Sequence, residues 1–320
     1  MKKINKILLM SMIACLGYSC DDILEEDIQN NQIITLNPKE GDSIAGNTVQ
    51  FLWEGLEGAD SYRVQVYRES NLVTDTTVST YPFTEVLIEG SYQWRIKGQN
   101  FAYETPYTFP VVFTVTPSDN LSNQTLILTS PSDNIYTNNT TIIFTWNPIP
   151  SAISYTFELI KVTGSGDITV FLEEEIQSTS LELDAVVIDS DAQYKWQVKA
   201  VNETSETNFF SRGFFIDTEA PLVPSLVSPD LDEEFEVGED ISFSWTFGAD
   251  PGNVVSSVSS FYEIASDQDF QTIIISDVIT PTSINLTFEN SGSYYWRVRG
   301  EDEAGNIGGF DQNGKFIIGE

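Results

Sequence analysis

The chain has 320 residues, more than one ordinary hydrophobic core accommodates, so two or three domains are expected. It carries 48 acidic residues against 15 basic ones, and a polyanion of formal charge −33 repels nucleic acid and anionic lipid head groups. It contains no histidine, which excludes Ser-His-Asp and Cys-His catalysis and histidine-ligated metal sites.

The N-terminal segment has the pattern of an export signal. Three lysines within the first six residues precede an apolar stretch that ends near Leu16. Such a stretch is too short to span a bilayer and is typical of a secretory signal peptide. The only two cysteines, Cys15 and Cys20, lie at this end of the chain, so no disulfide crosses the folded body.

The residues around Cys20 resemble a bacterial lipoprotein signal, in which the cysteine becomes the lipidated first residue. Cys15 is the alternative but leaves a shorter apolar core, whereas Cys20 has Gly17 where such signals carry leucine. The acid-rich DDILEEDI that follows Cys20 resembles the export signal of surface lipoproteins in Bacteroidota-type bacteria. We therefore assign lipidation to Cys20. The resemblance implies a signal peptide over 1–19, a flexible acidic tether over 20–33, and an outer-membrane location facing the cell exterior.

The rest of the chain repeats one pattern three times. Each copy has a proline after an apolar residue, then Phe-x-Trp, a tyrosine-led alternating run, a Tyr-x-Trp run and a last apolar strand. The prolines are Pro38, Pro131 and Pro229, and the tryptophans are Trp53, Trp94, Trp146, Trp196, Trp245 and Trp296. All six tryptophans of the chain fall on two repeated positions, which indicates an internal repeat.

Short runs of alternating apolar and polar residues, bounded by Gly, Asn, Asp and Pro, predict β-strands and no long helix. Units of about 100 residues with some seven short strands each indicate an all-β protein of three tandem immunoglobulin-like β-sandwiches.

The details resemble fibronectin type III domains. Leu87-x-x-Gly90-x-Tyr92 matches the tyrosine corner of that family, and Tyr194 and Tyr294 keep the tyrosine without the preceding residues. The resemblance implies fibronectin type III-like domains over 34–116, 126–217 and 218–320, with a polar linker over 117–125 that allows the first two domains to flex.

The repeated Tyr-x-Trp run raises the question of a sugar-stacking platform. Because side chains alternate along a strand, Tyr92, Trp94 and Ile96 share one face, and Gln93 and Arg95 point to the other. Because its neighbours on this face, Tyr92 and Ile96, are largely apolar, we predict that Trp94 is a core residue.

With the tryptophans assigned to the cores, a ligand surface must use loops or strand faces. The loop QNFAYETPYTF carries Phe101, Tyr103 and Tyr107, which are the candidate ligand-binding residues, and Phe109 begins the last strand. The alternative is that these rings cover the end of the sandwich. The resemblance places this loop at the N-terminal pole, facing the tether and the membrane.

The junction DTEAP between the second and third units is short and stiffened by proline. The third unit also has an insertion, within GADPGNVVSSVSS, that we predict to be flexible and to face the second unit. Asp217, Glu219, Glu301 and Asp302 could gather at this pole, and calcium takes oxygen ligands. No spacing here is diagnostic, so the sequence assigns no metal ligand and no cofactor.

The sequence predicts no catalytic role. The acidic runs Glu173–Glu175 and Asp232–Glu234 do not predict two carboxylates opposed in a cleft. We expect a non-catalytic outer-membrane surface lipoprotein that acts as a binding or spacer module, with glycan uptake as one setting. The alternative is a scaffold or adhesion arm that positions a partner protein, and a hydrolase is least favoured. The expected partners are an outer-membrane or cell-surface protein or a glycan, with the membrane contacted through the lipid only.

Overall fold

A computed structural model describes residues 25–311 and 314–319, so the signal peptide, Cys20 and residues 21–24 lie outside the described residues. Within the described part, every regular element is a β-strand. No helix found there is long and apolar enough to cross a membrane. The prediction of an all-β protein is confirmed.

The strands form three groups of eight, which we call modules 1, 2 and 3. Module 1 has β1 (Thr35–Asn37), β2 (Asp42–Ala45), β3 (Thr48–Trp53), β4 (Ser61–Arg68), β5 (Asn71–Val78), β6 (Phe83–Val86), β7 (Gly90–Gln99) and β8 (Val111–Thr116). Module 2 has β9 (Leu128–Ser130), β10 (Ile135–Thr137), β11 (Ile142–Trp146), β12 (Ser154–Val162), β13 (Ile168–Ile176), β14 (Ser180–Leu183), β15 (Ala192–Val201) and β16 (Phe210–Ile216). Module 3 has β17 (Ser225–Ser228), β18 (Glu233–Phe235), β19 (Ile241–Thr246), β20 (Val258–Ala265), β21 (Ile273–Ile279), β22 (Ser283–Leu286), β23 (Gly292–Asp302) and β24 (Gly314–Ile318).

Each module pairs a three-stranded sheet with a five-stranded sheet, and the strand order is the same in all three. The smaller sheets are β1-β3-β6, β14-β11-β9 and β17-β19-β22. The larger sheets are β2-β8-β7-β4-β5, β10-β16-β15-β12-β13 and β18-β24-β23-β20-β21. This repetition confirms the predicted tandem fibronectin type III-like sandwiches. The chain divides into two compact units, of which the first holds module 1 and the second holds modules 2 and 3.

The six tryptophans lie inside the sandwiches, each no more than 3% exposed. In every module the tryptophan of the Tyr-x-Trp strand contacts the phenylalanine of the Phe-x-Trp strand at a steep angle. The centroid distances are 5.1 Å for Phe51–Trp94, 5.2 Å for Phe144–Trp196 and 5.2 Å for Phe243–Trp296. Burial of one large apolar side chain stabilises the fold by about 1.5–3 kcal/mol, and the inclined ring pair adds about 0.5–1.5 kcal/mol. The prediction that the tryptophans are core residues is therefore confirmed.

The tyrosine corner occurs in all three modules. In each one the phenol hydroxyl donates to the carbonyl four residues upstream. The pairs are Tyr92 to Ile88 at 2.7 Å, Tyr194 to Ser190 at 3.0 Å and Tyr294 to Asn290 at 2.8 Å. The bond depends on the tyrosine and on backbone geometry, which is why modules 2 and 3 form it without the upstream residues of the family pattern.

Part of the predicted tether and linker belongs to the packed structure. Ile28 has no exposed surface, and Ile33 is in the core of module 1. Leu121 is equally buried in the core of module 2. The folded part of module 1 therefore begins before residue 34, and residues 117–125 are not a free linker. A single aliphatic side chain among polar neighbours has no periodicity, so the sequence pattern did not reveal it.

Loss of the corner hydroxyl tests this packing within one strand. We expect Tyr294→Phe to lower the free energy of unfolding of module 3 by about 0.5–1.5 kcal/mol, because the Asn290 carbonyl loses its donor. Tyr295→Phe removes the same atom from the next residue of β23, on the opposite face of the strand, and should change stability by less than about 0.5 kcal/mol. Hydrogen exchange of module 3 peptides measures both, and equal effects would contradict the corner's role.

Candidate functional site

The loop that follows each Tyr-x-Trp strand begins with a similar turn in all three modules, one residue longer in module 3. The residue six positions after the tryptophan, at the end of the strand or just beyond it, is Asn100, Asn202 or Asp302. Its backbone N–H donates to a carbonyl just ahead in the loop: Tyr103 at 3.0 Å, Ser205 at 3.0 Å and Asn306 at 3.2 Å. These three residues are therefore structural equivalents, two amides and one carboxylate.

In modules 1 and 2 the amide ties the loop to two other segments. Asn100 Nδ2 donates to the Glu26 carbonyl before the module at 2.9 Å and to the Gly58 carbonyl after β3 at 2.8 Å. Asn202 Nδ2 donates in the same way to Asp119 at 2.8 Å and to Ser151 at 3.2 Å. One side chain thus holds together the three segments at the pole of the module.

In module 3 three carboxylates come from the same three segments. Asp217 precedes the module, directly after β16, Asp250 lies in the insertion after β19, and Asp302 ends β23. One ligand oxygen from each lies within 4.8 Å of the other two. Asp217 is only 1% exposed and Asp302 only 6%. We call these three residues the junction carboxylates, because Asp217 belongs to the connection between modules 2 and 3.

The hydrogen bonds of the junction carboxylates leave two oxygens without a partner. Asp302 accepts from the N–H of Asn306 at 2.8 Å and from its Nδ2 at 2.9 Å. Asp217 Oδ1 accepts from the Glu219 N–H at 3.2 Å, and Asp250 Oδ2 accepts from the Ser256 N–H at 2.6 Å. Asp217 Oδ2 and Asp250 Oδ1 are buried and find no hydrogen-bond donor among the described residues.

Without a bound cation, the electrostatic environment of the cluster disfavours the ionised form of its three carboxylates. The pKa of Asp217 is raised to about 6, mainly by burial and also by the charges of Asp250, Asp302 and Asp191, against the lowering effect of the bond from Glu219. Two unit charges 4.8 Å apart repel by about 3.5 kcal/mol at an effective dielectric constant of about 20. None of the ion pairs among the described residues involves a junction carboxylate. Buried carboxylates in this state require a positive charge or a proton.

The sequence predicted two of the three junction carboxylates. Asp217 and Asp302 meet as expected, whereas Glu219 and Glu301 are not part of the cluster. Asp250 was missed, although it is the only acidic residue of the insertion and the insertion was expected to face module 2. Its position depends on how the insertion folds, for which the sequence carries no periodic signal.

The insertion is anchored rather than free, which corrects the prediction that it is flexible. The Leu222 N–H donates to the Ala249 carbonyl at 2.8 Å, and Val254 is only 6% exposed. The bond between Ser256 and Asp250 closes the loop on itself. These contacts fix the direction of the Asp250 side chain.

The aromatic loop of module 1 presents its candidate residues in different ways. Phe101 is 93% exposed, and Tyr103 is half-buried. The ring of Tyr107 lies 4.3 Å from the Arg95 guanidinium carbon and 5.3 Å from Lys97 Nζ. Tyr107 therefore packs against charged side chains of its own module, whereas the ring of Phe101 is free to contact a partner.

A cleft lies beside this loop. It has a volume of about 430 Å³ and is lined by residues 32–35 and 106–111. Ile34 and Phe109 on its walls are 55% and 89% exposed. Exposed apolar groups around a concave surface are typical of a contact site.

Comparison with known proteins bears on the fold alone. No known family profile matches the chain, and no curated protein matches it. The chain is similar to a solved structure of the chicken CNTN1 FN1-FN3 domains, with 15% identity over 90% of this chain and 97% of that one, and a TM-score of 0.40. It is also similar to the fibronectin(III)-like modules of CbhA from Clostridium thermocellum, with 13% identity over 58% and 94% of the two chains, and a TM-score of 0.22.

Two single substitutions separate the exposed ring from the packed one. Phe101→Ala should change the free energy of unfolding by less than about 0.5 kcal/mol, because the ring is almost fully solvated. Tyr107→Ala should lower it by about 0.5–1 kcal/mol or more, through loss of the cation–π contacts. Denaturant titration of the two variants measures the difference, and an equal loss of stability would show that Phe101 is also a packing residue.

Proposed function

We propose that this protein is a non-catalytic lipoprotein, anchored by Cys20 in the outer membrane and facing the exterior, in which three tandem modules bind or position an outer-membrane partner protein. The observation that carries this proposal is the threefold repetition of one sandwich. The tryptophans of each copy are buried in its core and are not available to a ligand. Repeated sandwiches of this kind present loops at fixed intervals along the chain and suit binding and spacing.

A catalytic role has little chemical support in the chain. The acids at 173–175 lie on an exposed stretch of β13, and those at 232–234 are exposed as well. Glycoside hydrolysis needs two carboxylates held on opposite sides of a bond in a cleft. The chain also has no histidine to act as a general base.

The position of the aromatic loop supports a partner close to the membrane. Asn100, next to Phe101, donates to the Glu26 carbonyl, so the loop lies at the end of module 1 where the chain enters. Glu26 is six residues after Cys20, a span of no more than about 20–22 Å when fully extended. A surface held this near the bilayer is better placed for a membrane protein than for a distant glycan.

Lipid anchoring is tested by the two cysteines. Cys20→Ala should move the protein from the membrane fraction to the soluble fraction and abolish labelling by a radioactive fatty acid, because several acyl chains on one cysteine provide the anchor. Cys15→Ala is the matched control and should keep both properties. Release of the Cys15 variant instead would move the anchor to that residue, and retention of both variants would overturn the anchor.

The partner is tested by crosslinking the full-length protein in intact membranes. We expect one stoichiometric membrane-protein adduct, reduced at least severalfold by Phe101→Ala with Phe109→Ala, since exposed aromatic anchors dominate such contacts. Val186→Ala alters a side chain of module 2 that is 85% exposed and should leave the yield unchanged. If no crosslinked adduct forms and the protein is retarded in native gels that contain polysaccharide, the partner is a glycan and not a protein.

A further inference from the structure

We propose that Asp217, Asp250 and Asp302 bind one Ca²⁺, and that this ion joins in module 3 the three segments that an asparagine amide joins in modules 1 and 2. The inference stands on the second unit of the chain alone and does not depend on the anchor or on the partner of module 1.

The repeats provide an internal comparison. Asn100 and Asn202 use Oδ1 to accept backbone N–H groups of their own loop, at 2.8 and 2.9 Å for the bonds from Tyr103 and Ser205. Asp302 Oδ1 likewise accepts from Asn306. The accepting Oδ1 atom therefore has the same role in all three modules. Only the second terminal atom differs: it is a donating Nδ2 in modules 1 and 2 and an accepting Oδ2 in module 3.

A carboxylate oxygen cannot do what the amide NH₂ does. In modules 1 and 2 that group donates to the segment before the module and to the loop after the Phe-x-Trp strand. In module 3 each of these segments contributes a carboxylate, and the Asp217 carbonyl accepts from Asn306 Nδ2 rather than from residue 302. Ionised carboxylates only accept hydrogen bonds, so three of them cannot hold one another together. A cation between them can.

Two atoms indicate where the cation binds. Asp217 Oδ2 and Asp250 Oδ1 are shielded from solvent and lack a donor, although the other oxygen of each carboxylate is held by a backbone N–H. They are the only carboxylate oxygens among the buried side-chain atoms of the described residues that lack a hydrogen-bond partner, and a bound ion is one ordinary explanation of such an atom. The backbone bonds hold the carboxylates in place, and the partnerless oxygens remain for a ligand.

The donor set selects the kind of ion. All three ligands are carboxylate oxygens, and the chain has no histidine and no cysteine beyond residue 20. Zinc and copper favour nitrogen and sulfur, and Mg²⁺ demands near-ideal octahedral geometry, whereas Ca²⁺ takes six to eight oxygens in flexible geometry and completes its shell with carbonyls and water.

The ion would lie where modules 2 and 3 meet. Asp217 directly follows the last strand of module 2, and its carbonyl accepts from Asn306 Nδ2 of module 3 at 2.9 Å. The Asn138 N–H of module 2 donates to the Ala304 carbonyl of module 3 at 3.3 Å. Binding at this place stabilises the contact between two modules, and not only one loop.

The test is a calcium titration of the full chain, purified in detergent and freed of metal with a chelator. Calorimetry with CaCl₂ should give one ion per chain. About 1 mM CaCl₂ should raise the unfolding midpoint of modules 2 and 3 by about 5 °C or more. Asp250→Asn should weaken binding by about 10–100-fold or more, because even outer-sphere partners of a metal contribute that much. Glu219→Gln removes a neighbouring charge outside the cluster and should leave binding within about twofold.

The Asp302→Asn variant distinguishes a bound calcium ion from a cluster of acidic residues that binds no ion. It restores to module 3 the amide of the other modules, so it should abolish the calcium response while its midpoint in chelator is no lower than that of the unsubstituted protein. An unsubstituted chain that binds no calcium stoichiometrically and shows no shift would overturn the proposal. So would a response that all of these variants, Glu219→Gln included, retain equally.

Discussion

The contact on which each module depends is the steeply inclined packing of one tryptophan ring on one phenylalanine ring between its two sheets. The contact has nearly the same centroid distance in all three modules, from 5.1 to 5.2 Å. A tyrosine two residues before each of these tryptophans stacks on a phenylalanine of the last strand, as Tyr194 does on Phe214 at 5.6 Å. No cystine can reach these strands, because both cysteines lie within the first 20 residues. Close packing of aromatic rings therefore holds the sheets together.

This use of the aromatic residues determines where the modules can differ. The cores share the same repeated tryptophan, tyrosine and phenylalanine positions, and the functional differences between modules lie in the loops at their poles. Module 1 exposes Phe101 there, module 2 ties its pole with the Asn202 amide, and module 3 gathers three carboxylates at the equivalent position. Under the two proposals made above, one scaffold carries a contact surface in one copy and an ion site in another, which is how function is commonly distributed over repeated folds.

The sequence predicted the parts of the structure that repeat. The period of two along strands and the recurrence of Tyr-x-Trp were sufficient for the fold, the cores and the tyrosine corner of module 1. It did not reveal features that depend on a single side chain. Ile28 and Leu121 fill cores from segments that are otherwise polar. Neither belongs to a periodic run, so their burial follows only from the folded chain.

In the candidate sites too, the sequence predicted what repeats or lies in regular elements and missed what depends on the tertiary fold. The short junction between the second and third units indicated that Asp217 and Asp302 could gather at one pole, together with Glu219 and Glu301. Asp250 reaches them only through the fold of an irregular insertion, and the Tyr107 ring covers Arg95 across twelve positions of sequence. Contacts of this kind arise from tertiary structure, and no local pattern of residue types encodes them.

With the lipid anchor proposed at Cys20, the burial of Ile28 sets the length of the tether between that lipid and module 1. Seven residues, 21–27, separate the two positions, and an extended chain of this length spans no more than about 25–30 Å. A short tether gives a second binding event an effective concentration in the millimolar range. For the proposed partner in the same membrane, the short tether would raise occupancy of the complex without any new contact, even where the intrinsic affinity is weak.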